Sequence, residues 1–161
     1  MLLDLFFEGC EEYFSSRYIG FQRFKCEILR GWNSELGVLY NNHYSYLWNN
    51  IENDISFGTV ETIELFQRKK SIEIIEKIDK LLNEYDKPYN EGMKIFIYYS
   101  NSGSEITPDK CVLLLKSIER VDPNKFDNSS KDNFLWFRKS YIIWKKIIAS
   151  AIEDNKNIIL C

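Results

Sequence analysis

His43 is the only histidine in the chain, and imidazole is the side chain whose charge changes nearest to neutral pH. It stands among Asn41, Asn42, Tyr44 and Tyr46, and the carboxylates that follow are Glu52 and Asp54. One reading is an enzyme site assembled around His43 and these carboxylates, which requires a carboxylate within hydrogen-bond reach of the ring. No nucleophile stands at a telling distance, and no G-x-S-x-G, dinucleotide-binding or kinase pattern occurs. The loop Asn101-Ser102-Gly103-Ser104-Glu105 has the small residues of a phosphate cradle but no lysine followed by serine or threonine. It has a single carboxylate, whereas a calcium loop needs several at alternate positions. Turn chemistry ahead of a helix fits it better. The four cysteines, Cys10, Cys26, Cys111 and Cys161, form no C-x-x-C pair. With one histidine they give no zinc pattern, so reduced thiols are expected and no metal or cofactor.

Charge is more informative than any catalytic pattern. The chain has 161 residues and a formal net charge of -3. From Trp32 to Gln67 there is no lysine or arginine, while Glu35, Glu52, Asp54, Glu61 and Glu64 all fall there. The same stretch holds Tyr40, Tyr44, Tyr46 and Trp48. Aromatics dominate binding hot spots, and a one-signed surface steers an oppositely charged partner. A partner-binding surface is therefore expected at Tyr44, Tyr46, Glu52, Asp54 and Glu61, and it would suit a basic protein; the alternative is a helix that packs its aromatic stripes into the core and solvates its acids. An acidic balance disfavours a general nucleic-acid role. Arg138, Lys139, Lys145 and Lys146 are the cations that such a role would use, and the solvated face of the last helix accounts for them better. No apolar run approaches the roughly 20 residues of a membrane span. Met1-Leu2-Leu3-Asp4 lacks the basic start of a secretory signal, so a cytoplasmic protein is expected.

The elements that must position these residues follow from hydrophobic spacing. One domain of ordinary size, α+β and predominantly helical, is expected. Residues 1–16 fit a helix by their apolar pairs, but Leu3, Leu5 and Phe7 also alternate as a strand does; a short strand up to Phe7 is preferred. Phe21, Phe24, Ile28 and Trp32 line one face of a helix, with Arg23 and Lys25 assigned elsewhere. Ser34 is the expected cap of the next helix, which carries the tyrosines. Residues 59–66 are β-branched and open to either reading, and Ser71–Tyr85 is an amphipathic helix stopped by Pro88. Ile95–Tyr99 is a short apolar run, read as a buried strand. Thr107-Pro108-Asp109 has the residue types that open a helix: a cap, a proline at the first position and an acid at the positive end. That helix is apolar on almost every side. Phe134, Phe137, Tyr141, Trp144, Ile148 and Ala151 make the core stripe of a long last helix. A small sheet of two or three strands is expected from Leu2–Phe7, Ile95–Tyr99 and Ile158–Leu160, the last at an edge.

Three segments resemble, in order, those of a group of uncharacterised small bacterial proteins. Tyr18-Ile19-Gly20-Phe21-Gln22-Arg23-Phe24 resembles a Y-x-G-F segment of that group. Ser100 to Cys111 resembles an S-D-x-D-G-x-I-x-P-x-x-C turn and helix start, with Asn101 and Gly103 where the group has acids. A closing amphipathic helix with a short apolar tail is the third. The resemblance implies no established activity. By class it implies a small acidic binding protein of the immunity type. The function expected from sequence is accordingly a non-enzymatic protein-binding module, with toxin neutralisation its specific form and a basic toxin domain its partner.

Overall fold

The computed structural model describes residues 2–6, 14–53, 60–99 and 104–160, with side chains described for 20–43, 69–98 and 104–160. In chain order the elements are β1 (Leu2–Phe6), β2 (Phe14–Arg17), α1 (Tyr18–Trp32), α2 (Ser34–Asn53), α3 (Val60–Leu82), α4 (Tyr89–Tyr99), β3 (Glu105–Ile106), α5 (Pro108–Ile118), α6 (Lys131–Glu153) and β4 (Ile158–Leu160). A single 3-10 turn at Pro123–Lys125 leads into α6. The fold is α+β and predominantly helical.

The four short strands form one antiparallel sheet in the order β2-β1-β4-β3. Leu5 lies opposite Leu160, and Ile106 opposite Ile158, so β4 is an interior strand rather than the expected edge. The expected strand at Ile95–Tyr99 is instead the second half of α4. Met93, Ile95, Phe96 and Ile97 are all buried there. A helix enclosed on most sides shows no period, and a short apolar run then looks the same as a buried strand. Its place in the sheet is taken by β3, a two-residue strand too short to leave a pattern.

Aromatic packing joins α1, α4 and α6. The Trp144 ring stacks on Phe21 at 5.8 Å and meets Phe96 edge-on at 5.4 Å, with Phe24 at 5.9 Å. These offset and edge contacts are the favoured ones for aromatic rings. Phe137, Tyr141, Trp144, Ile148 and Ala151 are buried and Phe134 is partly so, as their spacing requires. The sharp approach of α4 to α5 depends on Gly92, where a Cβ would collide with the Leu113 carbonyl and the Ser117 hydroxyl. Ser117 Oγ, in turn, donates to the Tyr89 carbonyl at 2.5 Å.

Helix ends differ in detail from expectation. Asn33, not Ser34, caps α2: its Oδ1 accepts from Leu36 N at 3.0 Å. Thr107 occupies the N-cap position of α5 with extended backbone, but its side chain makes no capping bond. Pro108 alone pre-sets the first turn. α5 is also less enclosed than its composition implies. Cys111, Leu114, Ser117 and Ile118 are buried, while Val112 is exposed. α3 takes in most of the ambiguous stretch and the expected helix from Ser71, but it ends at Leu82, three residues short of Tyr85 and well before Pro88. Asn155 ends α6 with a positive φ of 52°, a conformation asparagine tolerates.

Candidate functional site

Three buried polar side chains, Gln22, Lys25 and Glu27, lie on α1. Lys25 was assigned by spacing to a different face from Phe21 and Ile28, yet it is fully buried. Four residues after Phe21 is only about 40° around a helix, which puts Lys25 on the apolar stripe. Its Nζ donates to the Ile97 carbonyl at 3.2 Å. Ile97 is in the last turn of α4, where carbonyls lack intrahelical partners and the helix end is negative. The Phe21, Tyr40 and Phe96 rings lie around the ammonium at 5.4, 5.9 and 5.9 Å from their centroids. Burial lowers the Lys25 pKa to about 7, opposed by the neighbouring Cys26 thiol. A lysine of that pKa is a competent nucleophile in a site that substrate can reach. Here the group is sealed by rings and bonded to a helix end, which is a structural task.

The neighbouring groups are likewise engaged within the fold. Tyr40 donates its hydroxyl to Gln22 Oε1 at 2.6 Å. Glu27 accepts from Asp127 N at 2.6 Å and pairs with Arg30 at 2.8 Å, fastening the 122–130 loop to α1. Burial raises the Glu27 pKa, with the Asp127 amide and Arg30 pulling the other way. Burial also pushes the Cys26 and Cys111 thiols up to about 12, so neither is a thiolate at neutral pH.

His43 is half-buried on α2, and burial lowers its pKa. Its Nδ1 is buried and has no hydrogen-bond partner among the described residues. No carboxylate therefore orients that nitrogen there. Among the described residues no group of three His, Cys, Asp or Glu side chains is placed to hold a metal ion.

The residues expected to bind a partner are only partly placed. Tyr44, Tyr46 and Glu52 belong to α2 and Glu61 to α3, but their side chains, and all of Asp54, lie outside the described residues. The start of the same helix is described. Glu35, Val38, Asn41 and Asn42 are exposed there, Val38 to 54%.

A second exposed surface carries the opposite charge. On α6, Leu135 and Ile142 are 52% and 54% exposed, and Arg138, Lys139 and Lys146 are exposed beside them. Sequence spacing identified the buried stripe of α6 and treated these cations as an ordinary solvated face. The missed signal was the pair of aliphatics among them. No protein-family model, curated protein or solved structure matches the chain.

Proposed function

We propose that the chain is a non-catalytic protein-binding module that offers the acidic region of α2 and the start of α3 to a basic partner. In its specific form this is an immunity protein that occludes a basic toxin domain. The supporting observation is Val38: a β-branched aliphatic held 54% exposed between Glu35 and the amides of Asn41 and Asn42. An exposed aliphatic within a one-signed polar surface is the composition of an interface centre and rim. The absence of lysine and arginine from Trp32 to Gln67 supports the sign of the partner.

The test begins with the product of the gene adjacent to the one encoding this chain, purified and titrated calorimetrically against it. Binding should weaken at higher salt, because steering between exposed charges is screened. The double variant Glu52→Lys, Asp54→Lys and the single variant Val38→Asp should each lower affinity without moving the melting temperature. Affinity unchanged by both variants would remove the interface from this region.

A further inference from the structure

We propose that the outward face of α6 is a second docking surface, separate from the acidic one, which takes an acidic amphipathic helix of a partner protein along Leu135 and Ile142. It rests on a repeat. Residues 135–141 read LWFRKSY and residues 142–148 read IIWKKII. In this alignment Leu135 corresponds to Ile142, Phe137 to Trp144, Arg138 to Lys145 and Lys139 to Lys146.

Half of this heptad is already used. Phe137 and Trp144, Ser140 and Ile147, and Tyr141 and Ile148 are all buried against the rest of the chain. Of the remaining positions, Leu135, Arg138, Lys139, Ile142 and Lys146 are exposed. At 100° per residue, Leu135, Lys139, Ile142 and Lys146 fall within about 60° of arc, so they form a single row along the helix. Leu135 and Ile142 are seven residues, or about 10.5 Å, apart on it.

The cations beside the row are held in a repeated arrangement. The Arg138 guanidinium lies over the Phe134 ring and the Lys145 ammonium over the Tyr141 ring, both at 5.5 Å. Each contact spans four residues, so the two cations are laid along the same side of the row at the same spacing as the aliphatics. From Asn133 to Ile152 there are four cations and no carboxylate, in a chain whose net charge is -3.

These features select the occupant. Leu135 and Ile142 supply one of the two apolar positions per heptad that a helix presents to another in a coiled-coil seam, and flanking charges choose the partner. Carboxylates on the incoming helix would meet Arg138 and Lys139, and its apolar residues would cover Leu135 and Ile142. A nucleic acid would use the cations and leave both aliphatics uncovered. A lipid surface is entered by a wide apolar face, whereas here Lys139 and Lys146 interrupt the row.

The probe is a synthetic labelled helix of three heptads with leucine at the seam and glutamate at the flanking positions, titrated into the full chain by fluorescence anisotropy. The same peptide with glutamine for glutamate is the control. The acidic peptide should bind at least tenfold more tightly than the control, and the advantage should shrink between low and high salt. The double variant Leu135→Ser, Ile142→Ser should weaken it at least tenfold with no change in melting temperature. Arg138→Gln with Lys139→Gln should do the same and carries the test if the first variant does not fold. Glu52→Lys with Asp54→Lys should leave it unchanged, which separates this surface from the acidic one. Equal binding of both peptides, or binding indifferent to both α6 variants, would overturn the proposal. So would binding of phosphatidylserine vesicles or duplex DNA, but not of the peptide, through the same residues. Self-association of the chain that these variants abolish would also overturn it, by making a second copy the occupant.

Discussion

Lys25 and the pair Leu135 and Ile142 break the same rule in opposite directions. One is a cation with no exposure at all, in the centre of the core; the others are aliphatics more than half exposed on the outward face of α6. The inner exception is answered by the chain itself. The Ile97 carbonyl and the rings of Phe21, Tyr40 and Phe96 surround the ammonium, and the negative end of α4 faces it. The outer exception has no such answer within its own row, where the neighbours are cations. A polar group buried with partners is a piece of architecture. Apolar groups exposed in a repeated pattern are the ground for the docking surface proposed on α6.

The largest effect should come from the closed side of that contrast. Trp144→Ala removes the ring that touches Phe21, Phe24 and Phe96 at once. Truncation of a buried aromatic costs about 3–5 kcal/mol, a large part of the roughly 5–15 kcal/mol that holds a domain together. Urea denaturation should show a midpoint shift of that size. A shift below about 1 kcal/mol would mean that the core is centred elsewhere and that α6 is not fixed by its inner face.

Lys25 gives the next largest effect, and it has a sign. Its pKa is about 7 in the folded chain and about 10.5 when the side chain is hydrated. Between those values the unfolded chain carries one more proton than the folded chain. Unfolding then takes up a proton, so the lysine's contribution to stability rises with pH across the window and is least favourable below pH 7. At about 1.4 kcal/mol per unit of pH at most, the change from pH 6.5 to 8.5 is on the order of 2 kcal/mol. Lys25→Met keeps the length of the side chain and removes the titration. Stability of the wild type relative to this variant should therefore increase over that range. A pH-independent difference would show that the amine stays charged and reaches water, which would make it a candidate for chemistry rather than a helix-end contact.

What the sequence disclosed follows the same division between inside and outside. The stripe from Phe134 to Ala151 was legible because one buried face against one solvated face leaves a helical period. β1 was legible by alternation, although helix and strand patterns overlapped there. α4 was not, because burial on most sides erases the period that would separate it from a strand. β3 was invisible at two residues; its pairing with β4 is a tertiary choice. The burial of Lys25 was not legible, because a cation is ordinarily solvated even where its angular position falls on the apolar stripe. The expected Thr107 cap had the right residue in the right backbone, but the side chain makes no capping bond, a choice that composition cannot fix. At the candidate surfaces, sequence supplied the charge asymmetry from Trp32 to Gln67. It did not supply the exposed row on α6, since an aliphatic in a helix reads as core until its neighbours are placed.

The smallest effects should come from the open side. Leu135→Ser and Ile142→Ser each remove an aliphatic that is already more than half in water, so little apolar area is uncovered on unfolding. Each should change stability by no more than about 0.5 kcal/mol, the range of ordinary surface substitutions. Thr107→Ala should fall in the same range, because no capping bond is lost. Thermal melts of all three beside the wild type provide the comparison. A loss of about 2 kcal/mol at Leu135 or Ile142 would place that side chain in the core and close the docking row. A gain in solubility with unchanged melting is the expected result if these residues are kept exposed for a partner, because removing an apolar patch lowers association without touching the fold.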